Sequence, residues 1–417
     1  MSRPDQPWIV HPSALVSGEG GPRRVPPRPL ELREPHYLDK YDATTVFYDV
    51  FRCGRKVLAI GPPAGSLAGE VRAATVTSQS GGVSHFTSEP GFDRAGRFWA
   101  SVPRGGRDST LTVESGLSPV PIVVGDDLAE RFAGRRAIMT VSKDNDLDWV
   151  TYWARWYVER HGADAAVVYD NNTTRYSSEE LWEALARVPG LEVAAVVDWR
   201  FRYGPLGDNP ARLFDSNYAQ HGALEHARWR LLRTAAGFLN VDIDELVIDP
   251  DGRSVFDAIA AAPSGAVELP GTWIYPAPDT PSDRIPQHTD SYWMKMLPPD
   301  APSPTKWGAV PARLPGAAQA TTHKVRGIRM DPAPEFRFGH LLAISTNWYG
   351  GRRRFHVDPE SYLPDADLKA RYDGEIASTA PRDDVRPSRG DYLRQLPNRA
   401  IFAVWRLRER LRAGNAR

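Results

Sequence analysis

The stretch from residue 136 to residue 197 constrains the fold more than any other. Residues 136–142, reading RAIMTVS, form a short apolar run of strand length. In residues 146–161, Leu147, Val150, Trp153, Ala154 and Tyr157 recur at i, i+3, i+6, i+7 and i+10, one apolar face of a helix. Asp146 or Asp148 can cap its start and Gly162 its end. A second buried strand follows at 165–169 (AAVVY). Next come a second helix at 178–188, with Ser178 as its cap, and a third strand at 191–197. This alternation predicts an α/β domain, a mostly parallel sheet with helices on both faces. Such sheets bind ligands at the carboxyl ends of their strands, so polar residues just past each strand are the first candidates for chemistry.

The pattern continues with a long helix at 218–236 and a strand at 237–241, and then Asp242-Ile243-Asp244-Glu245. Another strand is expected at 267–275. A Pro-rich segment to residue 304 is long for a connection, and a loop of that length often acts as a lid or binding segment. Upstream, short β-branched and aromatic runs punctuated by Gly and Pro predict a small all-β, sandwich-like domain. Four regions result: a Pro/Arg-rich arm at 1–40 that is free or drapes over something, the β-rich accessory domain at 41–130, the α/β domain at 131–360, and a tail at 361–417.

Composition narrows the class. Across 417 residues, Lys+Arg and Asp+Glu both total 52, so the basic excess of a general nucleic-acid binder is missing. The single cysteine, Cys53, excludes an intrachain disulfide and a Cys-rich zinc module, and reads as a small buried hydrophobe. Arg far outnumbers Lys, a bias expected of a GC-rich bacterial genome. Neither a membrane-spanning apolar run nor a secretory h-region is visible, so a cytoplasmic location is expected. The tail combines Ile401, Phe402, Val404, Trp405 and Leu407 with Arg399, Arg406, Arg408, Arg410 and Arg412. A helix there would dock on its own domain or lie on the inner face of an anionic membrane.

The strongest chemical signal is Asp242-Ile243-Asp244-Glu245. If the strand runs on, alternation places Asp242 and Asp244 on one face, where two carboxylates repel unless a hard divalent cation such as Mg²⁺ or Mn²⁺ lies between them. Asp170-Asn171-Asn172, after the second strand, can accept from and donate to a base or ribose, or simply make a turn. Lys143, after the first strand, can lie against a phosphate or ribose. Lys306 can counter phosphate charge. His323 and His340 are each competent to complete a site for a Mn²⁺-like ion.

In this order the residues resemble GT-A glycosyltransferases, more narrowly family-92 and family-2-like bacterial enzymes. The similarity runs through residues 140–146, Trp149, residues 167–173, 220–230 and 240–246, Lys306-Trp307, His323 and Gly339-His340, over about residues 135–358. The first loop departs from it, reading Ser-Lys-Asp-Asn-Asp where Lys-Asn-Glu is usual. The resemblance implies a GT-A fold and a metal-dependent hexosyltransferase using a nucleotide sugar, UDP-linked, with a glycan or lipid-linked acceptor and inversion at the anomeric carbon. It further implies Mn²⁺ or Mg²⁺ on Asp242 and Asp244, with His340 or His323 joining, and Asp170 near the base. An inverting reaction needs a carboxylate base near the acceptor, for which Glu268, Asp283 and Asp290 are candidates, Asp290 and Glu268 ahead. Tyr292 and Trp293 could stack on a sugar.

Two other classes compete. In a haloacid-dehalogenase-type phosphatase, Asp242 would be the nucleophile and Asp244 the general acid, but that motif usually opens its sheet, whereas here three strands precede it. A non-catalytic carbohydrate-binding protein would have no need of the intact acidic pair.

Overall fold

The computed structural model describes residues 6–205, 215–248, 252–281, 284–295, 303–346, 357 and 360–373. Asp283 and the basic tail helix lie outside them. The largest sheet contains β1 (Ile9–Val10), β2 (Arg136–Ser142), β3 (Ala165–Asp170), β4 (Val193–Asp198), β5 (Gly237–Asn240), β6 (Glu245–Ile248), β7 (Ala266–Pro276), β8 (Ser291–Lys295), β9 (Ser303–Ala309) and β10 (Arg337–Leu341). Its spatial order is β1-β4-β3-β2-β5-β9-β7-β8, with β10 joining β7 to β6. Pairing is parallel from β1 to β5. It turns antiparallel at β5–β9 and β9–β7. The chain builds outward from β2 through β3 to β4, then returns to lay β5 on the other side of β2. The crevice between the carboxyl ends of β2 and β5 is therefore the topological switch point.

Alternation along the strands sorts the side chains into two cores. Ile138, Ala166, Val168 and Val196 face one side, against α1 (Leu147–His161), α2 (Ser178–Ala186) and the helix Val255–Ala261. Ala137, Met139, Val167, Tyr169 and Val197 face the other, against α3 (Tyr218–His226). Helix α1 begins at an Asp146 cap and ends at Gly162, whose φ of 66° suits a residue without a Cβ. Helix α2 is capped by Ser177 and Glu180 in a reciprocal capping box, one residue before the expected Ser178. Ser178 instead bonds the Asp170 carboxylate. The helix expected at 218–236 stops earlier: α3 gives way to a π-turn at Ala227–Leu231, closed by Leu232 N donating to the Ala227 carbonyl. All nine residues of α3 are buried, because it lies between the sheet and the N-terminal region.

That N-terminal region is mostly β, as expected, but it is not all-β, since a short helix at Ala68–Ala73 lies within it. One four-stranded sheet holds Asp49–Cys53, Lys56–Gly61, Gly96–Ser101 and Thr87–Ser88. The other holds Ile122–Val123, Leu111–Glu114, Thr75–Ser78 and Val83–His85. Phe47, Val50, Val57, Val76, Phe98 and Leu111 pack a core of their own. The arm drapes over the body: β1 pairs with β4, and buried Arg28 forms an ion pair with buried Asp215 at 2.7 Å. The Pro-rich 276–304 segment is not all loop, since β8 lies within it. Tyr292 there packs on the core, with the Lys369 ammonium over its ring, and Trp293 pairs with Tyr275. None of the described helices is long and apolar enough to cross a membrane.

Candidate metal and ligand site

The buried strand β5 leaves the sheet at Val241. The chain then turns at once, with Glu245 N donating to the Asp242 carbonyl at 3.0 Å and the Glu245 carboxylate accepting from Asp242 N at 2.9 Å. It re-enters the sheet as β6. The expected strand alternation of Asp242 and Asp244 therefore does not occur, because both lie on a tight turn and have different partners. Aromatic and imidazole groups brace the turn from behind. His288 donates to the Ile243 carbonyl at 2.9 Å, while the Tyr157 hydroxyl donates to the Glu245 carbonyl at 2.9 Å and accepts from Val247 N at 3.1 Å. Burial holds the His288 pKa down at about 4, so it stays neutral.

Register brings up the rest. β5 pairs Asn240 with Trp307, which places Lys306 of β9 beside the turn. β6 pairs Glu245 with His340 of β10. The Lys306 ammonium lies 2.5 Å from Asp242 Oδ2 and 3.0 Å from Glu245 Oε2, itself almost fully buried. His340 Nε2 is 3.2 Å from Asp244 Oδ2, and its Nδ1 is 3.6 Å from Glu245 Oε1. Burial alone would push Asp242 up, but Lys306 outweighs it and holds this carboxyl below the usual range. For Glu245 burial wins, raising it to about 7. Burial would depress His340, yet the Asp244 carboxylate lifts it to about 9. Lys306 is likewise raised by its two carboxylates against the pull of burial.

Asp244, Glu245 and His340 each offer a ligand atom, all within 4.8 Å of one another, so this group could hold a metal ion. One imidazole and two carboxylates form a mixed N/O donor set. Asp242, expected as a ligand, is outside that set, and its Oδ2 is held by the Lys306 ammonium. Lys306, expected to face a phosphate, is turned onto Asp242 and Glu245 instead.

The turn lines a cleft of about 210 Å³ together with Val141, Asn145, Tyr203, Gln220, Ile344, Ser345 and Thr346. It opens at the switch point between β2 and β5. Other expected residues are engaged elsewhere. Asp170 accepts from Thr173 N and the Ser178 hydroxyl, Asn171 donates to the Trp199 and Phe201 carbonyls, and Asn172 holds φ at 62° while reaching Phe201 O. These residues shape the turn after β3 rather than the cleft. Lys143 is half-buried and is not among the residues lining the cleft. His323 meets the Thr305 carbonyl at 3.0 Å, Glu268 accepts from the Thr305 hydroxyl, and Asp290 is clamped by Arg284 through two 2.7 Å bonds. Burial would raise Asp290, but Arg284 and Gln287 N hold it low, which weakens it as a base. Neither Glu268 nor Asp290 is among the residues lining the cleft.

Glu245 and Gln220 are the residues that sequence reasoning did not single out. Three acids in four residues was the available signal for Glu245. For Gln220 no local signal exists, since one amide on a buried helix is ordinary. A scan against models of protein families finds no match, and no curated protein matches the chain.

Proposed function

We propose that the chain is a metal-dependent glycosyltransferase of GT-A type. It would move a hexose from a nucleotide-sugar donor, UDP-linked, to a glycan or lipid-linked acceptor with inversion. The observation carrying this reading is the grouping of Asp244, Glu245 and His340, with Asp244 on an acidic turn at the carboxyl end of β5 that lines a cleft at the switch point. A strand order beginning third-second-first-fourth around that crevice is the arrangement in which α/β sheets bind nucleotides.

The imidazole in the donor set favours Mn²⁺ over Mg²⁺, which prefers oxygen alone. A divalent ion held there would stabilise the charge that develops on a leaving diphosphate. Lys306 holds the Asp242 carboxyl low without metal and, bonded to both Asp242 and Glu245, fixes their orientation. His288 and Tyr157 hold the backbone of the turn, so the ligand atoms need little rearrangement. The cytoplasm, or the inner face of the membrane, is where such donors are available.

Calorimetry with UDP, GDP and TDP, each with Mn²⁺ and with EDTA, tests the proposal. The expected result is one diphosphate that binds with Mn²⁺ only, and loss of that binding in Asp244→Ala. Metal-independent binding, or none by any diphosphate, refutes it. A preference for Mg²⁺ and a simple phosphoester would favour a phosphatase.

A further inference from the structure

Gln220 projects from α3 into the cleft, and its surroundings determine which of its atoms a ligand meets. It is 6% exposed. Its Oε1 accepts from the Tyr203 hydroxyl at 2.8 Å and from the Thr322 hydroxyl at 3.0 Å. Both lone pairs of the amide oxygen are thereby used, and the two N–H donors of Nε2 have no partner among the described residues. A buried amide with two idle donors, lining a cleft, is a strong pointer to a ligand. Nearby, Asn145 is 9% exposed, and its amide nitrogen donates to Ser142 Oγ at 2.9 Å, leaving its oxygen as an acceptor.

The rest of the lining defines what those donors meet. Asp242 and Asp244 are acceptors, Tyr203, Ser345 and Thr346 are hydroxyls, and Val141, Ile243 and Ile344 are aliphatic. Among the described residues of the lining there is no lysine, arginine or histidine. Lys306 and His340 are already engaged with these two carboxylates, so an anion here would meet no further cationic side chain among the described lining residues. A hydroxyl both donates and accepts, so it can take an N–H from Gln220 while giving its own proton to a carboxylate. The aliphatic residues suit the C–H face of a ring. The volume, about 210 Å³, is below the ~300–1,000 Å³ of a site for a whole drug-sized ligand, and so fits one moiety.

We propose that Gln220 is a specificity residue that donates to a neutral, hydroxyl-bearing sugar, and that the cleft selects uncharged glycosyl groups over uronates. This rests on the transferase reading and adds to it the residue that reads the sugar and the charge of the sugar.

The test compares each bare diphosphate (UDP, GDP, TDP) with its glucose ester and, for UDP, its glucuronate ester, all with Mn²⁺, by calorimetry. The proteins are wild type, Gln220→Glu and Gln220→Met. Gln220→Glu keeps an oxygen for Tyr203 and Thr322 but replaces the donor nitrogen with an anion. In wild type the glucose ester of the preferred diphosphate should bind about tenfold more tightly than the diphosphate alone, the order expected of a net hydrogen bond. UDP-glucuronate should show no gain over UDP. Both variants should lose the glucose gain while binding the bare diphosphate as wild type does, with thermal melts confirming the fold. An unchanged glucose gain in both variants overturns the proposal. So does an equal loss for ester and bare diphosphate, a wild type with no glucose gain, or a matching gain for UDP-glucuronate. A wild type that binds no diphosphate at all refutes the transferase reading first, and this inference with it.

Discussion

Replacing Asp49 by alanine should destabilise the protein by about 3–5 kcal/mol, the range for stranding one member of a buried ion pair. Asp49 sits at the start of a strand in the N-terminal region with no exposed surface. Its Oδ2 accepts from Arg230 Nη1 and His226 Nε2, each at 2.6 Å, and its Oδ1 accepts from Ser13 N at 2.7 Å. His226 passes the contact on to the Tyr169 hydroxyl of β3 at 2.6 Å. Burial would raise the Asp49 carboxyl, but Arg230 and His226 outweigh it and hold it low. Stability from this group is therefore present above the unfolded carboxylate range and lost as pH falls through the lower folded value. Alanine leaves the buried Arg230 guanidinium with only the Asp126 carbonyl, and His226 and Ser13 N without their acceptor. Because the network joins the β region to α3 and β3, the loss should be felt by both parts. Urea unfolding followed by tryptophan fluorescence should show one shifted transition. Adding Arg230→Met should restore a large part of the loss, since removing both charges leaves no stranded ion. A cost under about 1 kcal/mol, or a double variant no more stable than Asp49→Ala, would refute the reasoning.

Two further predictions concern the acidic turn. Glu245, held up at about 7, and His340, held up at about 9, must shed protons before they can ligate a metal, so Mn²⁺ affinity should climb as pH rises from 6 to 9. Both folded values lie above the unfolded ones, so the stability linked to these protons is present at low pH. It fades as pH passes about 7 for Glu245 and about 9 for His340. Melting with EDTA should accordingly fall toward pH 9 while the stabilisation by Mn²⁺ widens, and a flat Mn²⁺ affinity across that range would contradict the assignment. Lys306→Met removes the cation between Asp242 and Glu245 and should cost about 3 kcal/mol or more in EDTA, with Mn²⁺ recovering part of it. Thermal melts with and without metal read this directly, and equal melting of variant and wild type in EDTA would count against the role given to Lys306.

The α/β alternation was legible because each element carries its own periodicity. β2 spans residues 136–142 as the apolar run indicates, and α1 runs from its Asp146 cap to Gly162. The strand–helix order also implied ligands at carboxyl ends, and the acidic turn does lie at one. What failed was the local geometry of that motif. Residues 237–241 look like a strand that could continue, but the Glu245 side chain caps Asp242 N and bends the chain sharply. Likewise the π-turn at Ala227–Leu231 interrupts a pattern that reads as unbroken helix.

Local sequence patterns encode the parallel α/β core, the mostly β region before it, and the placement of three acids just past an apolar strand. These follow from side-chain period and from turn chemistry, which act over a few residues. Which partner each acid has depends on how the strands pack in three dimensions. Lys306 reaches Asp242 because β9 pairs antiparallel to β5, and His340 reaches Asp244 because β10 pairs with β6, in registers set by burial of whole strands. Gln220 enters the cleft and Asp49 meets Arg230 for the same reason. Contacts between residues tens to hundreds of positions apart depend on how complete elements pack, and no local pattern encodes them.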